Sequence, residues 1–183
     1  MKRALVTGVS WDTGIGFAVT KQLVCDGYFV YAVYHSEDST AKEILMKEYP
    51  NSVECIQCDL SDRNSVYSLI EFLRKNTLLD AIVNNAGAFG GGEDINNYDI
   101  SEWDRVFAVN VTAPLLLSAG LKSILNSNAV IVNMVSTDGQ RGSFSSISYA
   151  ASKAALINLT DSLAINFGYD EKKYELQQCA LVG

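Results

Sequence analysis

The feature that most constrains the fold is a unit of strand, glycine-rich turn, helix and strand in the first 34 residues. A short apolar strand at residues 3–7 enters the turn GVSWDTGIG at 8–16; a helical apolar pattern up to Val24 and a strand at 28–34 follow. This order is typical of the first unit of a dinucleotide-binding fold. Glycines let the backbone approach a pyrophosphate, and the helix N-terminus offers N–H groups and a partial positive charge. A tight turn that holds no ligand would show the same pattern, so the turn alone does not establish binding.

The rest of the chain alternates helical and strand patterns. Helices are predicted at residues 39–49, from an N-cap at Ser61 or Asp62 to Leu73, at 101–125 and at 148–167. Strands are predicted at 53–58, 79–83, 129–135 and 176–181. Pro114 lies inside the 101–125 pattern and should kink or interrupt that helix. The alternation predicts an α/β fold of Rossmann type, a doubly wound parallel sheet with helices on both faces in three layers (α/β/α).

Composition and charge narrow the function classes. The chain has 48% apolar and 19% charged residues and a net charge of −7, without a basic cluster. This profile is typical of a soluble globular protein and argues against nucleic-acid binding. The apolar runs are far shorter than the roughly 20 residues that span a bilayer, and the first strand is too short for a signal peptide. We therefore expect residues 1–183 to form a single cytoplasmic domain without a membrane segment.

Cysteine and histidine usage gives little support for metal or disulfide chemistry. Cys55 and Cys58 form a C-x-x-C motif, but they lie in an alternating strand pattern, where residues three apart point to opposite faces. The single histidine of the chain is His35. We expect no metal site.

Tyr149, Lys153 and Ser136 form the candidate catalytic group. Tyr149 and Lys153 are four residues apart on a predicted helix and therefore share a face. A phenol has a reference pKa of about 10, a neighbouring ammonium lowers it, and the tuned phenol can act as general acid or base. Ser136 ends a predicted strand at the sheet edge where ligands of open α/β sheets bind. Tyr and Lys at this spacing also occur on ordinary helices, so the pair alone does not establish catalysis.

Taken together, these motifs resemble the short-chain dehydrogenase/reductase (SDR) family over almost the whole chain. They are Thr7-Gly8…Gly14-Ile15-Gly16, Asp59-Leu60, Asn84-Asn85-Ala86-Gly87, Asn110, Ser136 and Tyr149-x-x-x-Lys153. The branch of 3-oxoacyl-carrier-protein reductases and related carbonyl reductases is the most similar. The resemblance implies an NAD(P)-dependent oxidoreductase that interconverts a carbonyl and an alcohol by hydride transfer.

The resemblance also implies which residues bind the cofactor. Gly8, Gly14 and Gly16 would cradle the pyrophosphate, and Asp59 would bond the adenine amino group with Leu60 beside the ring. Residues of the 84–87 motif would line the cofactor and brace the central strand. The complete cofactor-binding set is Gly8, Ser10, Gly14, Ile15, Gly16, Tyr34, His35, Asp59, Leu60, Asn84, Ala86, Gly87, Tyr149 and Lys153.

For catalysis, the resemblance implies Asn110, Ser136, Tyr149 and Lys153. Ser136 would hold the substrate carbonyl, and Tyr149 would pass a proton to its oxygen as hydride arrives. Lys153 would bind the nicotinamide ribose and lower the Tyr149 pKa, and Asn110 would hold a water that connects Lys153 to a proton relay. The substrate would be a small-molecule carbonyl or alcohol, with Asp138, Gln140, Arg141 and Phe144 as further candidates for the pocket wall.

The resemblance further implies a homodimer or homotetramer built on the helices at 101–125 and 148–167. The second of these helices carries more small and apolar residues than one buried face needs. The alternative is that these residues only pack on the sheet.

The glycine turn and the cofactor selector depart from the family pattern. Five residues, 9–13, separate the first two glycines where three are usual, so Trp11 and Asp12 are expected near the phosphates, where a carboxylate is unfavourable. Tyr34, followed by His35, stands where NAD-specific members carry an Asp, which favours NADP marginally over NAD. No Arg or Lys stands at either place to pair with a 2′-phosphate.

The resemblance implies a chain that continues well beyond the sixth strand, so we expect these 183 residues to lack the C-terminal part of the fold. Two alternatives to the enzyme follow: a non-catalytic NAD(P)-binding module, acting as sensor or assembly partner, and a truncated SDR fragment. A hydrolase is disfavoured because the chain has no G-x-S-x-G motif and His35 lies at the wrong end of the sequence order.

Overall fold

The computed structural model describes residues 1–90, 94–143 and 146–168 and the backbone of 175–181. Six parallel strands form one sheet in the order β3-β2-β1-β4-β5-β6. The strands are β1 (Lys2–Thr7), β2 (Tyr28–Tyr34), β3 (Val53–Gln57), β4 (Leu79–Asn84), β5 (Leu125–Ser136) and β6 (Glu175–Leu181). The helices are α1 (Ile15–Cys25), α2 (Thr40–Glu48), α3 (Arg63–Asn76), α4 (Ile100–Phe107), α5 (Ala113–Gly120) and α6 (Ile147–Gly168).

The strand order places a topological switch point at the middle of the sheet. β1 pairs with β2 on one side and with β4 on the other, so the chain leaves the carboxyl ends of β1 and β4 in opposite directions. A crevice opens at such a point, and it is where open α/β sheets bind ligands.

Apolar residues cover both faces of the sheet. Successive strand residues point to opposite faces, so Leu5 packs with α3, α5 and α6 residues such as Leu73 and Leu117, whereas Val6 packs with α1 and α2 through Phe17 and Leu45. The predicted Rossmann-type, three-layer arrangement is confirmed.

The region predicted as one helix at 101–125 is divided. A π-helical turn, Ala108–Thr112, joins α4 to α5, and Pro114 lies at the start of α5. Proline has no N–H for the bond to the carbonyl four residues back, which is that of Asn110, and the wider turn accommodates this loss. The expectation of an interruption at Pro114 is confirmed.

The predicted helix end at residue 125 is wrong. The α5 helix ends at Gly120, and Leu125 begins β5, where it pairs with Leu79. The polar residues 126–128 hid this strand start in the sequence, and Asn128 adopts a left-handed conformation with φ of 66° beside a register shift. The remaining strand boundaries lie within one residue of those predicted.

Asp62, rather than Ser61, is the N-cap of α3. Its carboxylate accepts from the N–H groups of Asn64 and Ser65 at 3.1 and 3.2 Å. No helix in the described part of the chain is long and apolar enough to cross a membrane.

Candidate functional site

A cavity of about 810 Å³ opens at the carboxyl ends of the strands, at the switch point. It brings together most of the predicted site residues, which come from turns far apart in sequence. Those that line it are Gly8, Ser10, Ile15, Tyr34, His35, Asp59, Leu60, Ala86, Gly87, Ser136, Tyr149 and Lys153. Gly14, Gly16, Asn84 and Asn110 do not line it.

The glycine turn is packed tightly against the loop that follows β4. Gly8 has a φ of +75°, and a Cβ there would lie 2.7 Å from the Ala86 Cα. A Cβ on Gly16 would lie 2.5 Å from the Gly8 carbonyl oxygen and 2.6 Å from the Asn85 side-chain nitrogen. Gly16 therefore serves close packing of α1 under the turn, and Gly14 is the N-cap of α1.

The extra residues of the turn are attached to the N-terminus of α2. Asp12 accepts a hydrogen bond from the Thr40 hydroxyl at 3.0 Å, and the Ser39 hydroxyl donates to the Ser10 carbonyl at 2.9 Å. Trp11 lines the cavity but Asp12 does not. The sequence predicted the Asp12 carboxylate near the phosphates, where it would be unfavourable. In the structure, this carboxylate is instead bonded to the N-terminus of α2, outside the cavity lining.

Asn85, which the predicted set lacks, is the residue that holds the turn. Its side chain donates to the carbonyl oxygens of Thr7 and Gly8 at 2.9 and 3.2 Å. The Thr7 hydroxyl accepts from the backbone N–H groups of Asn85 and Ala86 at 3.0 and 3.1 Å. The sequence did contain a signal for this role of Asn85, namely the pair of adjacent asparagines. Two adjacent residues at a strand end face opposite ways, so only one of the pair can point into the interior.

Asn84 points into the interior and is 2% exposed. Its amide donates to Asn133 on β5 at 2.8 Å, and Asn133 donates to Thr160 on α6 at 2.8 Å. Asn84 thus braces the central strands, as predicted, but it does not line the cavity.

One end of the cavity is polar and is formed by the ends of β2 and β3. Asp59 Oδ1 accepts from the Ser61 N–H at 2.9 Å and the Ser61 hydroxyl at 2.7 Å, and His35 Nδ1 lies 3.9 Å away. Burial alone would raise the Asp59 pKa, but the Ser61 bonds, with His35 and Arg105 nearby, hold it below its ordinary value. An ionised carboxylate is therefore maintained at this end.

The other end carries Ser136, Tyr149 and Lys153. The Ser136 hydroxyl lies near enough to the Tyr149 phenol to lower its pKa, and the Ser136 oxygen accepts from the Asp138 N–H at 3.2 Å. Lys153 is 3% exposed and donates to the Met134 carbonyl oxygen at 2.6 Å. Its ammonium lies 5.6 Å from the Tyr149 ring centroid.

The pKa values at this end are governed by burial. Half-burial raises the Tyr149 pKa, and the neighbouring Ser136 hydroxyl offsets only part of that effect. Burial lowers the Lys153 pKa to about 8. The prediction that Lys153 lowers the Tyr149 pKa is wrong for this structure, because desolvation of the phenol dominates and the ammonium is bonded to Met134.

Asn110 is fully buried in the π-helical turn and fastens the loop after β4. Its side-chain oxygen accepts from the Ala88 N–H at 2.7 Å, and its side-chain nitrogen donates to the Ala88 carbonyl and the Ser152 hydroxyl, both at 2.9 Å. Both polar atoms of the side chain are thus bonded to the protein, and the water that Asn110 was expected to hold stays a prediction.

Two further cavity residues, Phe89 and Arg105, are also missing from the predicted set. The Phe89 ring stacks on Tyr149 with centroids 4.0 Å apart and an interplanar angle of 18°. Arg105 on α4 donates to the Phe89 carbonyl oxygen at 2.7 Å. Neither Phe89 nor Arg105 belongs to a sequence motif that could have identified it. Of the pocket-wall candidates, Asp138, Gln140 and Arg141 do not line the cavity, and Phe144 lies outside the described residues.

Comparison with known proteins supplies a family match. A family model described as short chain dehydrogenase matches residues 2–172. The chain is 32% identical to a 3beta-hydroxysteroid dehydrogenase of Mediterraneibacter gnavus over 91% of its own length. It spans only 60% of that relative.

Two further similarities concern nucleotide binding. A cyclic-di-GMP-binding biofilm dispersal mediator protein of Escherichia coli is 32% identical over 91% of this chain and 67% of that protein. A short chain dehydrogenase of Burkholderia cenocepacia J2315, solved in complex with NADP, superposes with a TM-score of 0.86 at 31% identity. That match covers 97% of this chain and 72% of the other.

Proposed function

Because the chain belongs to the short-chain dehydrogenase family, we propose that it binds NADP(H) in the cavity and interconverts a carbonyl and an alcohol by hydride transfer. The observation that carries the proposal is the convergence of Ser136, Tyr149 and Lys153 at one end of that cavity. Two neighbouring hydroxyls, with a buried amine one helical turn away, suit the handling of a carbonyl oxygen and its proton.

The residues at the glycine turn fit a dinucleotide. Gly14 caps α1 without a side-chain bond, so the first N–H groups of α1 remain available to an anion beside Gly8 and Ile15. Asp12 is hydrogen-bonded to Thr40 and does not line the cavity, so its carboxylate would not face a pyrophosphate bound there. At the polar end, the Ser61 and His35 contacts of Asp59 all involve Oδ1, so Oδ2 is the oxygen that would accept from an adenine amino group.

NADP(H) is proposed over NAD(H) on two grounds. Tyr34 ends β2 where an acidic residue would bind a ribose 2′-hydroxyl, and the Lys42 ammonium lies 5.0 Å from the Tyr34 ring centroid. The Burkholderia cenocepacia structure contains NADP.

The chain's own groups account for the proton chemistry. When bound, the nicotinamide supplies or accepts the hydride. In the reducing direction, Tyr149 gives its hydroxyl proton to the carbonyl oxygen while the Ser136 hydroxyl donates a hydrogen bond to that oxygen. The raised pKa keeps the Tyr149 phenol protonated at neutral pH, so the proton that this direction needs is present on the phenol. Lys153 would hold the nicotinamide ribose, and a water held at Asn110 would connect Lys153 to the relay that returns the proton to Tyr149.

Titration with NADPH and NADH, followed by a carbonyl screen, tests the proposal. We expect Tyr149→Phe to abolish turnover while NADPH affinity stays within about twofold, because the phenol acts on the substrate oxygen. Tyr67→Phe is the matched control, since Tyr67 is an exposed residue of α3 away from the cavity. Failure to bind either cofactor, or near-normal turnover by Tyr149→Phe, would overturn the assignment.

A second candidate is nucleotide binding without turnover, as a sensor or an assembly partner. The Escherichia coli relative is named for binding a nucleotide rather than for a reaction, which supports this possibility. Tight NADPH binding with no reduction across aldehydes, acyclic ketones and cyclic ketones would favour it.

We also propose that the chain self-associates through α4, α5 and α6. Each of these helices carries an exposed large apolar residue, namely Ile100, Leu115 and Ile165. Sedimentation equilibrium should give a dimer or tetramer, and Ile165→Glu should shift it toward monomer. A monomer at tens of micromolar wild-type chain would contradict this.

A further inference from the structure

Phe89 is a large aromatic residue that remains 59% exposed although it lines the cavity. One face of its ring covers Tyr149, at 4.0 Å between centroids and 18° between planes. An exposed aromatic surface of this kind beside a reactive hydroxyl is available to a ligand.

The backbone on both sides of the Phe89 Cα is held by neighbouring helices. Asn110 accepts from the Ala88 N–H and donates to the Ala88 carbonyl, at 2.7 and 2.9 Å. Arg105 donates to the Phe89 carbonyl at 2.7 Å and is itself fixed by two bonds to Glu102, at 3.1 and 2.8 Å. The ring is therefore placed before any ligand arrives, and a ligand that stacks on it would spend little free energy on ordering it.

We propose that Phe89 is the aromatic wall of the substrate subsite and that the site prefers carbonyls or alcohols with a flat ring next to the reacting carbon. The proposal rests on the proposed function for the position of the carbonyl, at the hydroxyls of Tyr149 and Ser136. Because the Phe89 ring stacks on Tyr149, a carbonyl oxygen bonded to the Tyr149 hydroxyl would bring the adjoining carbon framework toward that ring. A planar ring gains stacking contacts there, in addition to the burial of apolar area that an alkyl chain of equal size also gains.

The test compares two ketones with eight carbons, acetophenone and 2-octanone. Their binding is measured by calorimetry in the presence of NADP⁺, so that no turnover occurs. We expect Phe89→Leu to weaken acetophenone binding roughly 2- to 12-fold, with little change for 2-octanone, since leucine keeps apolar bulk and removes the aromatic face. Phe89→Tyr should retain the preference. Phe72→Leu, at an exposed phenylalanine of α3, is the control and should change neither affinity.

The outcomes separate this inference from the proposed function. Equal weakening of both ketones by Phe89→Leu, no weakening of either, or no binding of acetophenone to the wild type would overturn the aromatic wall. Reduction of ketones that depends on Tyr149 would still support the proposed function in each case. Conversely, Phe89-dependent acetophenone binding without any turnover would support the aromatic wall and contradict the enzyme.

Discussion

The ammonium of Lys153 donates a hydrogen bond of 2.6 Å to the backbone carbonyl oxygen of Met134, on the strand that ends at Ser136. This bond connects α6 to β5 and holds a buried amine 5.6 Å from the Tyr149 ring centroid. Burial lowers its pKa to about 8, so its charge changes in an accessible pH range.

Stability should rise with pH because of Lys153. Its pKa is about 8 in the folded chain against an ordinary value of 10.5, so the unfolded chain binds more protons between these values. The free energy of unfolding therefore increases across this window, by an amount on the order of 3 kcal/mol, and the cost of the buried charge is present in full below pH 8.

Urea unfolding of wild type and Lys153→Met at pH 7, 8.5 and 10 measures this effect. The wild type should gain stability relative to the variant as pH rises, because methionine cannot titrate and other groups cancel in the comparison. A difference between the two proteins that is constant over this range would show that the Lys153 pKa is not lowered.

Substitutions of the adjacent residues Asn84 and Asn85 should have different effects on the free energy of unfolding and on NADPH affinity. Asn84→Ala removes the bond to Asn133 inside the sheet and should cost about 1–3 kcal/mol of unfolding free energy while NADPH affinity is retained. Asn85→Ala removes the bonds to the Thr7 and Gly8 carbonyls and should weaken NADPH binding as well. Chemical denaturation and fluorescence titration of both variants check this, and an equal loss of NADPH affinity in both would contradict it.

Gly16 should not tolerate alanine although it lies in a helix. Alanine gains roughly 1 kcal/mol of helix propensity over glycine. Its Cβ would, however, lie 2.5 Å from the Gly8 carbonyl oxygen, which is backbone and cannot move aside cheaply. We expect a net loss of about 1–3 kcal/mol, together with weaker NADPH binding as the turn is displaced.

Gly142→Ala is the matched control, because a Cβ there would meet nothing within 4 Å. Thermal unfolding and NADPH titration should leave this variant near wild type. If Gly16→Ala is as stable as Gly142→Ala, the close packing of the glycine turn is wrong.

Local sequence patterns were sufficient to predict the order of the helices and strands and the parallel sheet with helices on both faces. Apolar periodicity distinguishes strands from helices within a few residues of chain, and β2 begins and ends where it was predicted. Strands that alternate with helices pair in parallel, so the carboxyl ends of distant strands meet and bring Gly8, Asp59, Ser136 and Tyr149 to one cavity. The motifs at these strand ends could therefore be recognised from the sequence alone.

Contacts between residues distant in sequence decided the orientation of the side chains at the site and the pKa of Tyr149. Which asparagine of the 84–85 pair faces the glycine turn depends on Thr7 and Gly8, more than seventy residues earlier. The stacking of Phe89 on Tyr149 likewise joins two elements that no local pattern relates. The Tyr149 pKa was expected to be lowered and is raised, and the reason is again tertiary. Desolvation depends on how the folded chain covers a group, and sequence spacing carries no information about that burial.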